Sequence, residues 1–139
     1  MTIDSICNGF VLDHISAGKS MELYKVLRLD KLDCSVAIIK NAASKKDTRK
    51  DIIKIDSLYD INFDVIGYVD PGITVNIVKD GKLIEKKKLA LPETVREVIK
   101  CKNPRCITSV ERELPHEFRL TDRARGEYRC VYCETKAER

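Results

Sequence analysis

The chain has 139 residues, of which 43% are hydrophobic and 35% are charged, and its formal net charge is +4 at pH 7. This composition is typical of a folded protein with one domain or two small ones, and it excludes a disordered chain. The sequence has no apolar run approaching the roughly twenty residues of a membrane-spanning helix, and its positive charge is too small for a dedicated nucleic-acid binder.

Targeting signals and cysteine usage indicate the compartment. The first ten residues, MTIDSICNGF, include an acidic residue and lack a basic cluster, so we identify no secretory signal and expect a cytoplasmic protein. In that compartment the six cysteines should be reduced or bound to metal. We expect Cys7 and Cys34 to be small core residues.

The first part of the chain alternates strand-like and helix-like segments. The predicted elements are a strand at 9–15, a helix at 19–29, a strand at 34–42, a charged loop at 44–51, a strand at 50–56, a short helical segment at 62–72, and two strands within 73–89 around the turn at Asp80 and Gly81. This order predicts an α+β domain of the ferredoxin-like type, an antiparallel sheet with two helices on one face.

A change in composition separates this part from the C-terminal region. Leu91, Val95 and Val98 can share one face of a helix, so we predict a connector helix at 92–100. From residue 101 onward the aliphatic content is low and four cysteines occur. The domain boundaries that we predict are therefore 1–91, 92–100 and 101–139.

The four C-terminal cysteines are Cys101, Cys106, Cys130 and Cys133, in the pattern C-x4-C-x23-C-x2-C. Two closely spaced pairs favour a tetrahedral four-thiolate zinc site, one Zn²⁺ per chain. The motif has four cysteines and neither a histidine nor a ligand that would keep a bound water, so all four coordination positions would be filled by protein. We therefore predict a structural site in a small, mostly-β domain. Two disulfides and an iron–sulfur centre are the alternatives that the spacing leaves open.

Strand alternation places polar and aliphatic residues together on one face of the predicted sheet. Val11 and Asp13 share this face on the first strand, Ile52 and Lys54 on the third, and Asn76 and Val78 on the fourth; the whole set could hold a nucleotide. Aliphatic side chains would enclose a base, the acid would accept hydrogen bonds, and the lysines would contact anionic oxygens. The alternative is an ordinary solvated sheet face, with the lysines at 86–88 protecting an edge strand.

Several motifs together resemble a known family. With GFVLDHI, RKDIIKI, TVNIVKDGKL, LPE, CKNPRC and CVYC in this order, the chain closely resembles the regulatory chain of aspartate carbamoyltransferase over essentially its whole length. The resemblance implies a non-catalytic subunit that acts in pyrimidine biosynthesis. The N-terminal domain would bind the nucleoside triphosphates ATP, CTP and UTP as allosteric effectors and pair into a regulatory dimer, and the zinc domain would dock on catalytic trimers.

The resemblance also implies roles for individual residues. Asp13 would contact the ribose, Lys54 the ribose and base, and Lys86 the triphosphate. The other implied contacts are His14 and Asn76 near the phosphates and the apolar lining of Ile6, Val11, Ile52, Val78 and Leu83. Asn103, Tyr132 and Glu134 match positions that face the catalytic chain. Because Lys86 is out of strand register with Leu83, we expect a bulge between them.

Two other classes of function compete with this interpretation. One is a zinc-ribbon nucleic-acid binder using Arg105, Arg112, Arg119, Arg123, Arg125 and Arg129 on phosphates. The other is a stand-alone nucleotide-dependent enzyme. The sequence lacks a glycine-rich phosphate loop, an HExxH motif and a nucleophile with a plausible base, so it offers no support for catalysis. We expect neither a nucleic-acid partner nor a membrane.

Overall fold

The computed structural model of the protein describes residues 6–43 and 49–138. The chain divides into two compact units, Met1–Ala90 and Leu91–Arg139. This division lies one residue from the predicted end of the first domain. Most of the predicted charged loop at 44–51 lies outside the described residues. None of the helices in the described part of the chain is long and apolar enough to cross a bilayer.

The first unit contains five strands and two helices among its described residues. In chain order they are β1 (Gly9–Ser16), α1 (Ser20–Val26), β2 (Val36–Ala43), β3 (Arg49–Ile55), α2 (Phe63–Val69), β4 (Thr74–Lys79) and β5 (Lys82–Lys88). The strands form one antiparallel sheet in the order β2-β3-β1-β4-β5. This arrangement confirms the predicted α+β class.

The first helix is shorter than predicted because its C-terminal end is interrupted. Arg28 has φ +53, in the left-handed region, and a single 3-10 turn, Leu29–Lys31, follows. The predicted helix at 19–29 is therefore α1 plus this turn. Helix α2 begins at a side-chain cap, in which Oδ1 of the Asn62 side chain accepts hydrogen bonds from the backbone N–H groups of Asp64 and Val65.

Both helices lie on the same face of the sheet as the core. Phe10, Leu12 and Ile53 on that face are at most 4% exposed. The Phe63 ring of α2 contacts the Phe10 ring edge-on, with centroids 6.4 Å apart. Leu23 of α1 is fully buried. Since alternation buries this face, the other face carries the polar and aliphatic residues that the sequence placed there.

The second unit is built on a small sheet. Its described elements are β6 (Thr94–Arg96), α3 (Ile107–Val110), β7 (Glu117–Asp122) and β8 (Glu127–Cys130), and the antiparallel order is β6-β7-β8. Phe118 and Tyr128 form its core, and the Tyr128 hydroxyl donates to the Pro92 carbonyl. The prediction of a mostly-β metal domain agrees with these strands.

The prediction of a connector helix at 92–100 is wrong. Residues Thr94–Arg96 are strand β6, and Val95 is paired with Phe118 of β7. Val95 is buried whereas its neighbours Thr94 and Arg96 are exposed, which is the period-2 burial of a strand. Leu91, Val95 and Val98 have the spacing of a helical face, but the same spacing also fits a short strand at Val95 followed by an irregular segment that contains Val98.

The prediction that Cys7 and Cys34 are core residues is also wrong. Cys7 is exposed and Cys34 is only partly buried. Cys7 lies before the start of β1, and Cys34 lies before the start of β2, so neither side chain is on the buried face of a strand.

Candidate functional sites on the sheet face and at the cysteine cluster

A row of cross-strand neighbours crosses the uncovered face of the sheet. Lys54 on β3 pairs with Val11 on β1, and Val11 pairs with Asn76 on β4. Asn76 in turn pairs with Lys86 on the edge strand β5. Directly opposed residues have Cβ atoms about 5 Å apart on the same face. Two lysines therefore lie at the two ends of a row with an aliphatic and an amide side chain between them.

The predicted bulge in β5 is confirmed, and it produces this arrangement. Asn76 is opposite Lys86 and Ile77 is opposite Glu85, but Val78 is opposite Leu83. Ile84 is thus the extra residue. In a regular strand the three-residue spacing would put Leu83 and Lys86 on opposite faces, so this one residue brings them to the same face.

A second bulge, in β1, shapes the part of the face near Asp13. The register between β1 and β3 shifts between Leu12 and Ile15, and His14 has φ +61. Asp13 forms an ion pair with Lys50, with 2.9 Å between the carboxylate and Nζ. Burial raises the pKa of the Asp13 carboxyl, but the bonds from Lys50 and from the His14 backbone outweigh it and hold that pKa below its usual value.

The apolar residues predicted to enclose a base lie at the other end of the face. Gly9 is paired with Val78, which is opposite Leu83. A Cβ atom on Gly9 would lie 3.0 Å from Cγ2 of Ile6 and would collide with the Ile55 carbonyl oxygen. The absence of a side chain at this position therefore lets Ile6 lie against the backbone of β1. Ile52, by contrast, is opposite Ile39 of β2. It lies on the other side of the row from Ile6, Val78 and Leu83.

A cleft of about 780 Å³ opens beside the row, at the end of β1. Its basic lining residues are His14, Arg49, Lys50, Lys86 and Lys88. Two buried carboxylates hold the end of β1 and the loop after it, beside the cleft: Asp70 accepts from the backbone and hydroxyl of Ser16, and Asp51 accepts from the Gly18 backbone. Of the ten predicted nucleotide residues, His14 and Lys86 line this cleft.

Sequence reasoning did not include Arg49 and Lys88 in the site. A signal for Lys88 was present, because it is two residues beyond Lys86 and is opposite Thr74, which pairs with Asp13. The signal for Arg49 was weaker. Arg49 and Lys50 are adjacent on β3 and are expected on opposite faces of the sheet, yet both line the cleft.

In the second unit the four cysteines come from two places in the chain: Cys101 and Cys106 from the loop before α3, and Cys130 and Cys133 from the end of β8 and the loop after it. Their Sγ atoms all lie within 4.8 Å of one another. The Cys101 and Cys133 sulfurs are 3.5 Å apart, and those of Cys106 and Cys130 are 3.7 Å apart. Four sulfurs at 2.3 Å from one tetrahedral Zn²⁺ would be about 3.8 Å from each other, so the cluster fits this ion.

Hydrogen bonds to the cluster also suit a metal site. The Thr108 hydroxyl lies 3.0 Å from the Cys106 sulfur, and the Thr135 hydroxyl lies 3.1 Å from the Cys133 sulfur. Burial raises the pKa of the Cys101 thiol to about 12, whereas at Cys133 burial is outweighed by the Thr135 bonds, which lower its pKa to about 6. A divalent cation stabilises all four as thiolates.

The residues predicted to face a partner lie on these same two loops. Asn103 is half-buried, and its side chain accepts from the Arg105 backbone. Tyr132 is 43% exposed, and Glu134 forms an exposed ion pair with Arg119. Sequence reasoning missed two further exposed apolar side chains, Ile107 at 52% and Val110 at 77%, although their i, i+3 spacing without a predicted core partner was a signal.

Arginines proposed for nucleic-acid contact are largely engaged within the second unit. Arg119 and Arg125 form ion pairs with Glu134 and Asp122. Arg129 is paired with Glu127, and Arg123 donates to the Leu91 carbonyl. These contacts leave fewer free cations for phosphate than the sequence suggested.

Fold and site together define a two-domain metal-binding protein, with an α+β domain that presents a basic sheet face and a second domain built around four cysteines. Residues 1–90 match the family model described as aspartate carbamoyltransferase regulatory chain, allosteric domain, and residues 93–139 match the metal binding domain of the same chain. The chain belongs to the family of aspartate carbamoyltransferase regulatory chains.

Individual relatives agree with this assignment. The regulatory chains of Clostridium acetobutylicum and of Clostridium botulinum strain Hall are 50% and 51% identical over 134 residues, which cover 96% of this chain and 92% of each relative. The regulatory chain of Bifidobacterium longum is 44% identical over 138 residues and 99% of both chains. The predicted family, a regulatory rather than a catalytic chain, and one structural Zn²⁺ are therefore confirmed, and the four clustered cysteines have the geometry to hold that ion.

Proposed function

We propose that this chain is the allosteric subunit of a cytoplasmic aspartate carbamoyltransferase in pyrimidine biosynthesis, and that it binds nucleoside triphosphate effectors on the uncovered sheet face. The observation that carries the proposal is the row in which Lys54, Val11, Asn76 and Lys86 are successive cross-strand neighbours. Such a row offers a cation on each side of a bound nucleotide, with the aliphatic Val11 and the amide Asn76 between the two lysines.

The chemistry of the row and the cleft is complementary to a nucleotide. Lys86 borders the cleft with Lys88 and Arg49, and these cations suit the oxygens of a polyphosphate. The buried Asn76 Oδ1 has no hydrogen-bond partner among the described residues, so it can accept a bond from a ligand. Ile6, Val78 and Leu83 provide the apolar surface at the opposite end, where a base would lie.

We further propose that the metal domain docks on trimers of the catalytic chain. Tyr132, Ile107 and Val110 are large exposed apolar side chains on or beside the loops that carry the cysteines. Asn103 and Glu134 add polar groups to the same loops. Apolar anchors with a polar surround are typical of a protein–protein interface, and the metal would fix the loops that present them.

Regulation would then depend on differential effector affinity. A nucleotide that binds one quaternary state more tightly than another shifts their equilibrium, and a coupling of about 1–3 kcal/mol is sufficient. Self-association is part of the proposal, since β2 is an edge strand whose residues Val36, Ala37, Ile38 and Ile39 are only half-buried. Covering such an edge with a second copy would remove an aggregation risk.

The effector proposal is tested on the complex with its catalytic chain. Carbamoyl-aspartate formation is measured with ATP, CTP or UTP added, for the wild type and for Lys54→Ala and Lys86→Ala. Lys82→Ala is the matched control, because Lys82 is also an exposed lysine of β5 but lies on the opposite face of the strand from Leu83 and Lys86. We expect the two variants to lose nucleotide effects and to assemble normally. Loss of assembly, with an unchanged response in whatever assembles, would contradict the proposal.

The docking proposal is tested by removing the metal. Chelation should release free catalytic trimers, which gel filtration separates from the complex. Zinc content is measured in each fraction by atomic absorption. A complex that stays intact after its zinc has been removed would refute the docking role of the metal domain.

A further inference from the structure

Two hydrogen bonds join the turn between β4 and β5 to the segment that precedes β1. The Asn8 Oδ1 atom accepts from the Asp80 backbone N–H at 3.0 Å, and the Cys7 carbonyl accepts from the Gly81 N–H at 2.8 Å. Asp80 and Gly81 have φ of +53 and +75, the left-handed pair of a two-residue hairpin turn. The turn therefore presents both of its N–H groups to this segment.

These bonds connect the three pieces of chain that carry the apolar end of the sheet face. Ile6 is on the segment before β1, Val78 is on β4 and Leu83 is on β5. Val78 and Leu83 are opposed across the hairpin, one pair away from the turn. Because β5 is an edge strand with every residue exposed, its position at this end depends on β4 and on the turn.

We propose that Asn8 is a positioning residue for the nucleobase end of the effector site. Its side chain fixes the turn against the segment before β1, so that Ile6 and Leu83 stay at the separation a base requires. This inference rests on the proposed function, because it assigns the apolar end of the same face to the base. The phosphate end, at Lys86 and the cleft, lies further along the strands and does not depend on this contact.

The two ends can be distinguished with a probe that lacks a base. ATP, CTP and inorganic tripolyphosphate are titrated calorimetrically into the complex of the full chain with its catalytic chain. For Asn8→Ala we expect ATP and CTP to bind about threefold to tenfold more weakly, the effect of one lost hydrogen bond. Tripolyphosphate binding should not change. Asn8→Asp keeps an acceptor oxygen and should restore nucleotide affinity, and Lys82→Ala on the same hairpin should match the wild type.

Each outcome of this experiment bears on one claim. Equal weakening of tripolyphosphate and nucleotides by Asn8→Ala, or unchanged nucleotide affinity, would overturn the role of Asn8 while leaving the effector site in place. Failure of the wild type to bind ATP or CTP would instead overturn the proposed function, and the role of Asn8 with it. A Lys86→Ala variant that weakens all three ligands would show that the probe reports on the phosphate end.

Discussion

Removing the Asp51 carboxylate should destabilise the first domain selectively. Asp51 is fully buried, and its two oxygens accept from three backbone N–H groups. Gly18 lies two residues before α1 and Ser20 is its first residue, with N···O distances of 3.0 and 3.4 Å, and Asn41 lies on β2 at 3.0 Å. One side chain on β3 thus joins a helix and a neighbouring strand.

The size of the effect follows from these three donors. A buried donor left without an acceptor costs about 1–3 kcal/mol, but Gly18 and Asn41 are exposed residues whose N–H groups can regain water. We therefore expect Asp51→Ala to lower the free energy of unfolding of this domain by about 2–4 kcal/mol. Asp51→Asn keeps one acceptor oxygen and should cost about half as much.

The same carboxylate predicts a pH dependence. Burial raises the pKa of Asp51, but the backbone bonds outweigh burial and hold the pKa below its usual value of 3.8. A group with a lowered folded pKa contributes stability above its unfolded pKa and loses it as the pH falls through the folded value. Stability should therefore decline below about pH 4 in the wild type, and less so in Asp51→Asn.

Hydrogen exchange by mass spectrometry measures this effect in one domain at a time. Peptides covering 18–27 should lose protection in Asp51→Ala at pH 7, whereas peptides covering 117–130 of the second domain serve as the internal control. Unchanged exchange at 18–27 would refute the assigned role of Asp51. Equal loss in both regions would show that the substitution acts through something other than these three bonds.

Two further substitutions test the metal domain. Thr108→Val removes the hydroxyl that lies 3.0 Å from the Cys106 sulfur and should weaken zinc retention about tenfold, measured by competition with a chromophoric chelator. Thr121→Val, at an exposed position, is the control. Equal zinc retention in both variants would contradict the role of Thr108. Glu134 has φ +64, so Glu134→Gly should relieve about 1 kcal/mol of backbone strain and leave urea stability equal or higher. In the same variant binding to catalytic trimers should weaken in a sedimentation assay, and unimpaired binding would remove Glu134 from the proposed interface.

The α+β class and the polar sheet face were predictable because β3 and the first part of β1 show a simple alternation of buried and less buried residues. Phe10 and Leu12 alternate with Val11, and Ile53 and Ile55 alternate with Lys54, so burial of one set fixes the position of the other. The four cysteines were predictable because each pair is closely spaced, and two such pairs in one chain are typical of a shared tetrahedral ion. Each signal can be read from short stretches of sequence, although the two cysteine pairs meet only in the folded domain.

The connector and the cleft were not predictable, because they depend on contacts between distant residues. Val95 fits a helix or a strand equally well until Phe118 is placed beside it. Arg49 and Lys88 are far apart in the chain, and only the completed sheet brings them to one cleft. The exposure of Cys7 likewise depends on where β1 begins, which sequence patterns locate only to within a few residues.

The position of Lys86 depends on a single extra residue, which leads to a last prediction. The register pairs Leu83 with Val78 and Lys86 with Asn76, and Ile84 is left over between them. Deleting Ile84 should therefore remove the bulge while keeping both pairs, so nucleotide effects on the assembled complex should persist. Inserting one alanine after Ile84 should instead move Lys86 out of this pairing and abolish those effects. If the deletion abolished the response and the insertion preserved it, the face of β5 that carries Lys86 would have to be reassigned.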